Sequence, residues 1–339
     1  EEMLQRVHDL RDRTDDYRAM VSVFGRYEIL KGLSFSASAG IDFSQGNKNL
    51  FTPSTMDEKY HENKSEGAIS RTIALSTDEL LEYDLTIKEK HKFNVLLGLN
   101  ITKDQYFYIG GYGKNGASDN VYYYDPGKAP SIVDHGKNGN EQWVSTTTYS
   151  SDFSEKIMVS YFGRLGYNFK QRYLFETTFR RDGSSTFGEG NRWANFPSVA
   201  VGWAFSEEPF MTATRDVLSN FKFRASWGSI GNQIILLADG SPDNYPYIPE
   251  MAPGLTNWLV DGQRPTTLST PPMVSSAFTW EKVYTLDFGV DFGFFDNRLN
   301  GTFDWYRRDT KGMLAPGMDL PWVVGVAAAK QNAANLKTY

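Results

Sequence analysis

The sequence predicts an all-β fold: an antiparallel transmembrane β-barrel of the outer-membrane type, of which this chain supplies about ten strands. Three observations carry that expectation. Apolar residues recur at every second position over long stretches. Short polar turns alternate with long loops rich in Gly and Tyr. Aromatics make up 15% of the 339 residues, which suits strands that bury or present one face only.

The first strand follows Tyr17. Ala19, Val21, Val23, Tyr27 and Ile29 share one face, and Ser22, Arg26 and Glu28 the other. Lys31-Gly32 turns the chain. Leu33, Phe35, Ala37, Ala39, Ile41 and Phe43 then alternate with Ser34, Ser36, Ser38, Gly40, Asp42 and Ser44. The next pair places Leu81, Tyr83, Leu85 and Ile87 against Glu82, Asp84 and Thr86. After a KEKH turn, Phe93, Val95, Leu97, Leu99 and Ile101 follow the same rule. Arg71 and Glu79 share parity with the apolar face, so that strand must protrude above any membrane. Ile157 to Phe169 repeats the pattern. So do Tyr284 to Phe292 and, after FDN, Leu299 to Trp305. The only helical stretch is FMTATRDVLSN after Pro209, a short connector.

Long polar loops are expected over roughly 45–65, 110–152, 229–276 and 313–332, with a shorter one over 183–193. Short turns at one end and long loops at the other match outer-membrane barrels. So do strands that reach the roughly 9–11 residues needed to cross a bilayer. Aromatics near strand ends (Tyr27, Phe43, Tyr83, Tyr167, Phe169, Tyr173, Trp305) suit interfacial girdles. The competing architecture is a soluble sandwich, which would bury the same faces against a second sheet.

Composition excludes other classes. There is no Cys, hence no disulfide and no thiolate metal site. Four His, at 8, 61, 91 and 135, lack metal-ligand spacing. The net charge of -6 is spread in both signs, without the basic stripe that a nucleic-acid partner requires. No cofactor or metal is expected. No run of 18 apolar residues signals a membrane helix, and no signal peptide is present. The chain opens on EEMLQRVHDL and closes on NAANLKTY, and it reads as a piece of something longer.

The stretch FRRDGSSTFGEGNRWANFPS, 179–198, reads as a strand, a Gly-rich tip and a returning strand. A calcium loop fails on spacing, because Phe187 and Trp193 stand where Gly and Glu are needed. GGYGKNG at 110–116 lacks the spacing and the Ser or Thr of a P-loop. Arg180 and Arg181 must point to opposite faces, and Asp182 pairs locally. Gly183, Gly188 and Gly190 supply the freedom of the tip. Pro197 inside the returning strand predicts a bulge or an unpaired spot.

The block YFGRLGYNFKQRYLFETTFRRDGSSTFGEGNRWANFPSVAVGW, 161–203, resembles the SusC/RagA family of TonB-linked outer-membrane transporters. FSEEPFM (205–211), LSNFKFRASWGSIGNQ (218–233) and FTWEKVYTLDFGVDFGFFDNRLNGTFDWYRRDTKGML (278–314) resemble its next hairpins, and NAANLKTY its next strand. Those matches cover about 155–233 and 278–339. The resemblance implies a larger barrel of about 22 strands closed around a plug on which TonB pulls. It also implies a SusD-like surface lipoprotein as cap, and TonB-dependent import of an oligosaccharide, or less readily a peptide, across the outer membrane. It implies a Gram-negative, Bacteroidetes-like source and a multi-pass chain. Residues 1–339 are then part of the barrel domain, with the plug, the TonB box and the final strands outside it.

Candidate substrate residues are the loop aromatics Tyr112, Tyr122, Tyr123, Tyr124 and Trp143, and Tyr245, Tyr247 and Trp258. Sugars pack C–H faces on such rings, and Tyr hydroxyls orient them. The same rings could instead form small loop cores or meet a capping protein. Two other functions stay open: a surface glycan-binding β-protein without transport, and a barrel enzyme using Asp134-His135 and His61. No catalytic residue is expected.

Overall fold

The computed structural model describes residues 10–339 apart from 57–61, 115, 117, 121, 123–131, 136–140, 145–146, 215, 237–239, 241, 250, 252, 256–257, 261, 263, 269, 271–272, 276–277, 316–320, 322, 324 and 326–330. Its strands in chain order are β1 (Arg11–Leu30), β2 (Leu33–Thr52), β3 (Lys64–Ile87), β4 (His91–Lys114), β5 (Ile132–His135), β6 (Glu141–Val144), β7 (Thr147–Phe169), β8 (Tyr173–Ser184), β9 (Trp193–Ala204), β10 (Leu218–Asn232), β11 (Pro253–Leu255), β12 (Thr266–Leu268), β13 (Glu281–Phe294), β14 (Leu299–Ala315) and β15 (Gln331–Thr338). The helical pieces are short 3-10 turns, among them Pro209–Thr214, where a short connector is expected.

Eleven strands form one sheet in the order β1-β2-β3-β4-β7-β8-β9-β10-β13-β14-β15, and β5-β6 and β11-β12 are separate ribbons in the long connections. The sheet is an antiparallel meander in which successive long strands pair. Strands outrun their sequence limits at the loop end. β2 continues to Thr52 and β3 starts at Lys64, so the connection predicted over 45–65 shrinks to 53–63. β3 and β4 each have 24 residues, well beyond the roughly 9–11 that cross a bilayer.

The short turns follow hairpin geometry. Lys88 and Glu89, and Lys170 and Gln171, all have positive φ. Lys90 N–H donates to the Ile87 carbonyl and Arg172 N–H to that of Phe169, at 3.2 and 2.9 Å. Positive φ at both central residues is the type I′ signature, whose twist matches that of the flanking strands. Neither turn contains Gly, so the strand pairing must hold these side chains in the left-handed region.

One correction and one outcome concern 179–198. Gly183 is not part of the tip: it is paired with Val159 and Trp193 inside the ladder. Of the bulge or unpaired spot expected at Pro197, the structure has the unpaired spot. Pro197 stands in unbroken register opposite Phe179, while β9–β10 pairing ends one residue away, at Ser198–Gly228. The missing N–H therefore faces a side where the ladder has already stopped. The Ser229 hydroxyl donates to the Pro197 carbonyl there, at 3.3 Å.

Residue contacts group into two units. The first comprises Glu1–Val23, Ala39–Ser76 and Lys103–Glu155, and the second Phe24–Ser38, Thr77–Thr102 and Lys156–Tyr339. In the first, Arg18 makes a bidentate bond to Asp42, at 3.0 and 2.6 Å, and the Arg71 guanidinium lies 5.4 Å over the Phe107 ring. Arg71 thus has an aromatic partner on β4 although its parity matches the apolar face.

The second unit holds the apolar core. Phe187, Ala194, Phe196, Ile235, Phe278 and Trp280 are buried together, with Met158 and Leu314 against them. Trp280 meets Phe187 and Phe196 at ring distances of 5.2 and 5.5 Å, and its indole N–H donates to the Arg192 carbonyl at 2.9 Å. Residues from the 185–192 tip, the segment after β10 and the entry to β13 thereby close on one another. Burial of this ring explains why the tip is ordered, because a Gly-rich hairpin end has little else to hold it. Trp280→Ala is expected to cost about 3–5 kcal/mol, read as a lowered denaturant midpoint of the full-length protein in detergent. A loss under about 1 kcal/mol would remove this cluster as the anchor.

Candidate functional site

The register across β8, β9, β10, β13 and β14 sorts every side chain to one of two faces. Tyr173, Trp203, Phe223, Val290 and Phe303 make one cross-strand row, and Phe175, Val201, Ala225, Phe288 and Trp305 make the next. Phe303 is 64% exposed and Val201 51%. An exposed apolar surface of several adjacent strands is far larger than a soluble monomer leaves in water.

The other face is polar. Leu174, Gly202, Arg224, Gly289 and Asp304 form one row, and Glu176, Ala200, Ser226, Asp287 and Tyr306 the next. Arg224 grips Asp291 with two bonds, at 3.0 and 2.9 Å, and reaches Asp304 at 2.8 Å. To reach Asp304 on β14 its guanidinium crosses β13 at Gly289. A Cβ at that position would lie 2.5 Å from Asp304 Oδ1 and 2.8 Å from the guanidinium. Gly is required there for approach, not for an unusual φ. Farther along the same unit, Arg164 donates to Asn94 at 3.1 Å and Asn94 to Asp84 at 2.8 Å. Arg180 donates to Asp182 at 2.7 Å and to Ser160 at 2.9 Å, while Arg181 lies 5.3 Å over the Trp193 ring. The two arginines do face opposite ways, and Asp182 is bound locally. A hollow of about 750 Å³ opens on this part of the sheet, and its charged lining includes Asp84, Lys92, Glu176, Lys222, Arg224 and Asp287. That volume lies in the range of small-molecule sites.

The aromatic candidates of the loops are divided. Tyr123 and Tyr124 lie outside the described residues, as does His61. Trp143 lies on β6 and Asp134 and His135 on β5, with only their backbone placement described. In the first unit the structure joins Tyr122 to Phe51, edge-on at 5.5 Å, and to Arg11, whose guanidinium sits 4.5 Å over the ring. Phe51 is fully buried. Tyr122 thus contributes to a loop core. Tyr112 carries the Lys64 ammonium 4.2 Å over its ring. In the second unit Tyr245 and Tyr247 are half-buried in a turn closed by the Ile248 N–H bond to the Tyr245 carbonyl, at 3.0 Å. Trp258 is exposed.

Two carboxylates outside the strands were not anticipated. Asp119 accepts from the Ser54 amide and hydroxyl, at 3.1 and 2.6 Å, and from Asn63 at 3.0 Å. Burial pushes its carboxyl up, but those donors outweigh burial and leave it below the usual carboxylate range. Glu208, in the β9–β10 connector, accepts from the Tyr173 hydroxyl at 2.5 Å and the Trp203 indole at 3.1 Å, with Arg172 at 3.7 Å. The bond from Tyr173, then that from Trp203, holds its carboxyl below the usual range. The motif FSEEPFM contains Glu208, but nothing in that string says which aromatic tips it collects.

The model of the TonB dependent receptor-like, beta-barrel family matches residues 5–339. The chain belongs to that family. It is 30% identical over 334 residues to the TonB-dependent receptor SusC of Bacteroides thetaiotaomicron, covering 96% of this chain and 30% of that protein. It is 28% identical over 328 residues to the TonB-dependent receptor P3 of Formosa agariphila, again covering 96% of this chain and 30% of the relative. The structure of the RagAB peptide transporter superposes with a TM-score of 0.81 at 24% identity, over 98% of this chain and 34% of that one. The fold is therefore that of a TonB-dependent receptor barrel, and the chain spans about a third of the length of these relatives. The barrels of this family are outer-membrane proteins. Among the described residues, no helix is long and apolar enough to cross a membrane, which says nothing of strands.

A depressed carboxyl pKa adds stability that is present above the unfolded value and is lost as pH falls through the folded one. The Glu208 contribution should therefore fade below about pH 4.3. Glu208→Gln is expected to flatten that acid dependence in thermal melts. Identical acid profiles for the two proteins would remove Glu208 as a fastener of this connector.

Proposed function

We propose that this chain is a wall segment of a TonB-dependent importer that carries an oligosaccharide across the outer membrane with a SusD-like lipoprotein. One observation carries the reading: across five paired strands of a receptor-family barrel, one face carries adjoining apolar rows and the other a bonded network of charges. On β13 the aromatic and aliphatic stripe runs from Phe294 to Tyr284. At roughly 3.3 Å per residue and a tilt of about 40°, that stripe is about 25 Å tall, the height of the apolar band of such barrels. Lipid then covers Phe288 and Phe303, and the lumen lies on the side of Arg224.

TonB would act through a plug outside this stretch, and residues 1–339 would form part of the barrel domain. The oligosaccharide reading draws support from exposed or half-buried loop aromatics such as Tyr247 and Trp258, whose rings suit the C–H faces of sugars. Tyr112, Tyr122, Tyr123, Tyr124, Trp143 and Tyr245 complete the proposed contact set, with Tyr122 contributing mainly through the loop it braces. A peptide cargo is the second reading. An outer-membrane location in a Bacteroidetes-like cell follows from the same reading.

The faces can be separated by charge. In the full-length protein Val201→Arg should cost about 2–4 kcal/mol in the membrane and deplete the heat-modifiable folded band on gels. Ser226→Arg, on the opposite face, should assemble at the parent level. Equal tolerance of both would defeat the lipid assignment. Retention of oligosaccharide pools over peptide pools by the purified full-length protein tests the cargo, and the reverse preference would replace it.

A further inference from the structure

We propose that the outward face carries a binding site for the phosphate of a lipid headgroup, built around Lys282 and Lys311 at the loop-side border of the apolar band. This rests on the membrane reading above. The two lysines are direct cross-strand partners on β13 and β14. Like charges placed directly opposite one another destabilise a sheet, so the pair calls for a counter-charge. Neither lysine has an ion pair among the described residues, and Lys311 only lies over the Tyr284 ring, at 5.4 Å.

The neighbouring residues do not supply one. Arg307 and Lys337 lie on the same face, and among the described residues Asp309 is the sole carboxylate between them: it takes both bonds from Arg307, at 3.2 and 2.9 Å, and stands opposite Lys337 in the ladder. Four cations thus share one anion. The position selects the ligand. Phe288 pairs with Trp305 but Leu286 with Arg307, so on β14 the charges begin one row past Trp305, beside the upper end of the β13 stripe. On β8, Arg181 lies as far beyond Thr177 as Lys282 lies beyond Leu286, and Thr177 and Leu286 share a row. Cations thus recur at this level on β8, β13 and β14, with Asn195 and Gly231 on the strands between. Compact ammonium groups bind phosphate as point charges, and a phosphate monoester brings enough negative charge to answer two of them.

The test uses the full-length protein in detergent, as the parent and as Lys282→Gln/Lys311→Gln. The probes are a bisphosphorylated glycolipid, the same lipid after phosphatase treatment, and inorganic phosphate, with binding read by native mass spectrometry. The parent is expected to bind the phosphorylated lipid at least on the order of tenfold more tightly than the double variant does, and the stripped lipid should not distinguish the two proteins. Equal binding by parent and variant, or equal binding of both lipids by the parent, overturns the site. Inorganic phosphate displacing the lipid at equal concentration overturns the lipid as its source. Folding of the variant is checked by gel heat-modifiability, and the parent's two-lipid comparison decides the matter even without the variant. A protein that is monodisperse without detergent would sink the membrane reading itself, whereas a detergent-dependent protein blind to phosphate sinks only this inference.

Discussion

Parity is the constraint on which everything else depends. In an antiparallel ladder with period two, each side chain belongs to one face, and a slip of one residue moves a whole strand's set to the other. From β8 to β14 the register has a single shift, between Leu218 and Asn220 at the turn end of β10. Phe223, Phe288 and Phe303 are therefore committed to the same side as Tyr173, and Arg224, Asp287 and Asp304 to the other. The charged network exists because the apolar rows exist. Neither could be shifted alone.

Within that constraint, small residues decide where polar groups may meet. Gly289 is the clearest example. Arg224 could bond Asp291 over any residue, but the third contact, with Asp304 two strands away, needs the space a side chain would fill. The polar face is thus braced across three strands by one guanidinium. Such bonds are stronger on a face partly shielded from water than on an open surface. They also use up much of the local charge, which leaves Lys222, Glu176 and Asp287 to shape the field of the hollow.

The strands were legible because alternation is written residue by residue, and the greasy set read from Leu286, Phe288 and Val290 is the one the ladder assembles. The opposition of Arg180 and Arg181 followed from the same rule. Three things were not legible. The type I′ turns carry Lys-Glu and Lys-Gln rather than the Asn-Gly that normally announces them. At Pro197 the letters left a bulge and an unpaired spot equally open, because a sequence does not reveal that pairing on one side of a strand stops just there. The candidate aromatics looked alike as letters, yet Tyr122 is taken up by Phe51 and Arg11, a long-range meeting that local pattern cannot reveal. The core around Trp280 likewise joins segments nearly a hundred positions apart.

The seam at Pro197 has a further consequence. Below it β9 and β10 are joined by backbone hydrogen bonds, which tie the position of every residue to its neighbour. Above it, contact passes to Phe196, Ile235 and Trp280, which adhere by shape and have no register to preserve. The wall can therefore carry loops of very different length and sequence above this point without disturbing the ladder beneath. A hairpin that keeps its strands and exchanges its crown gives related chains a way to diversify what they present outside while inheriting the same wall.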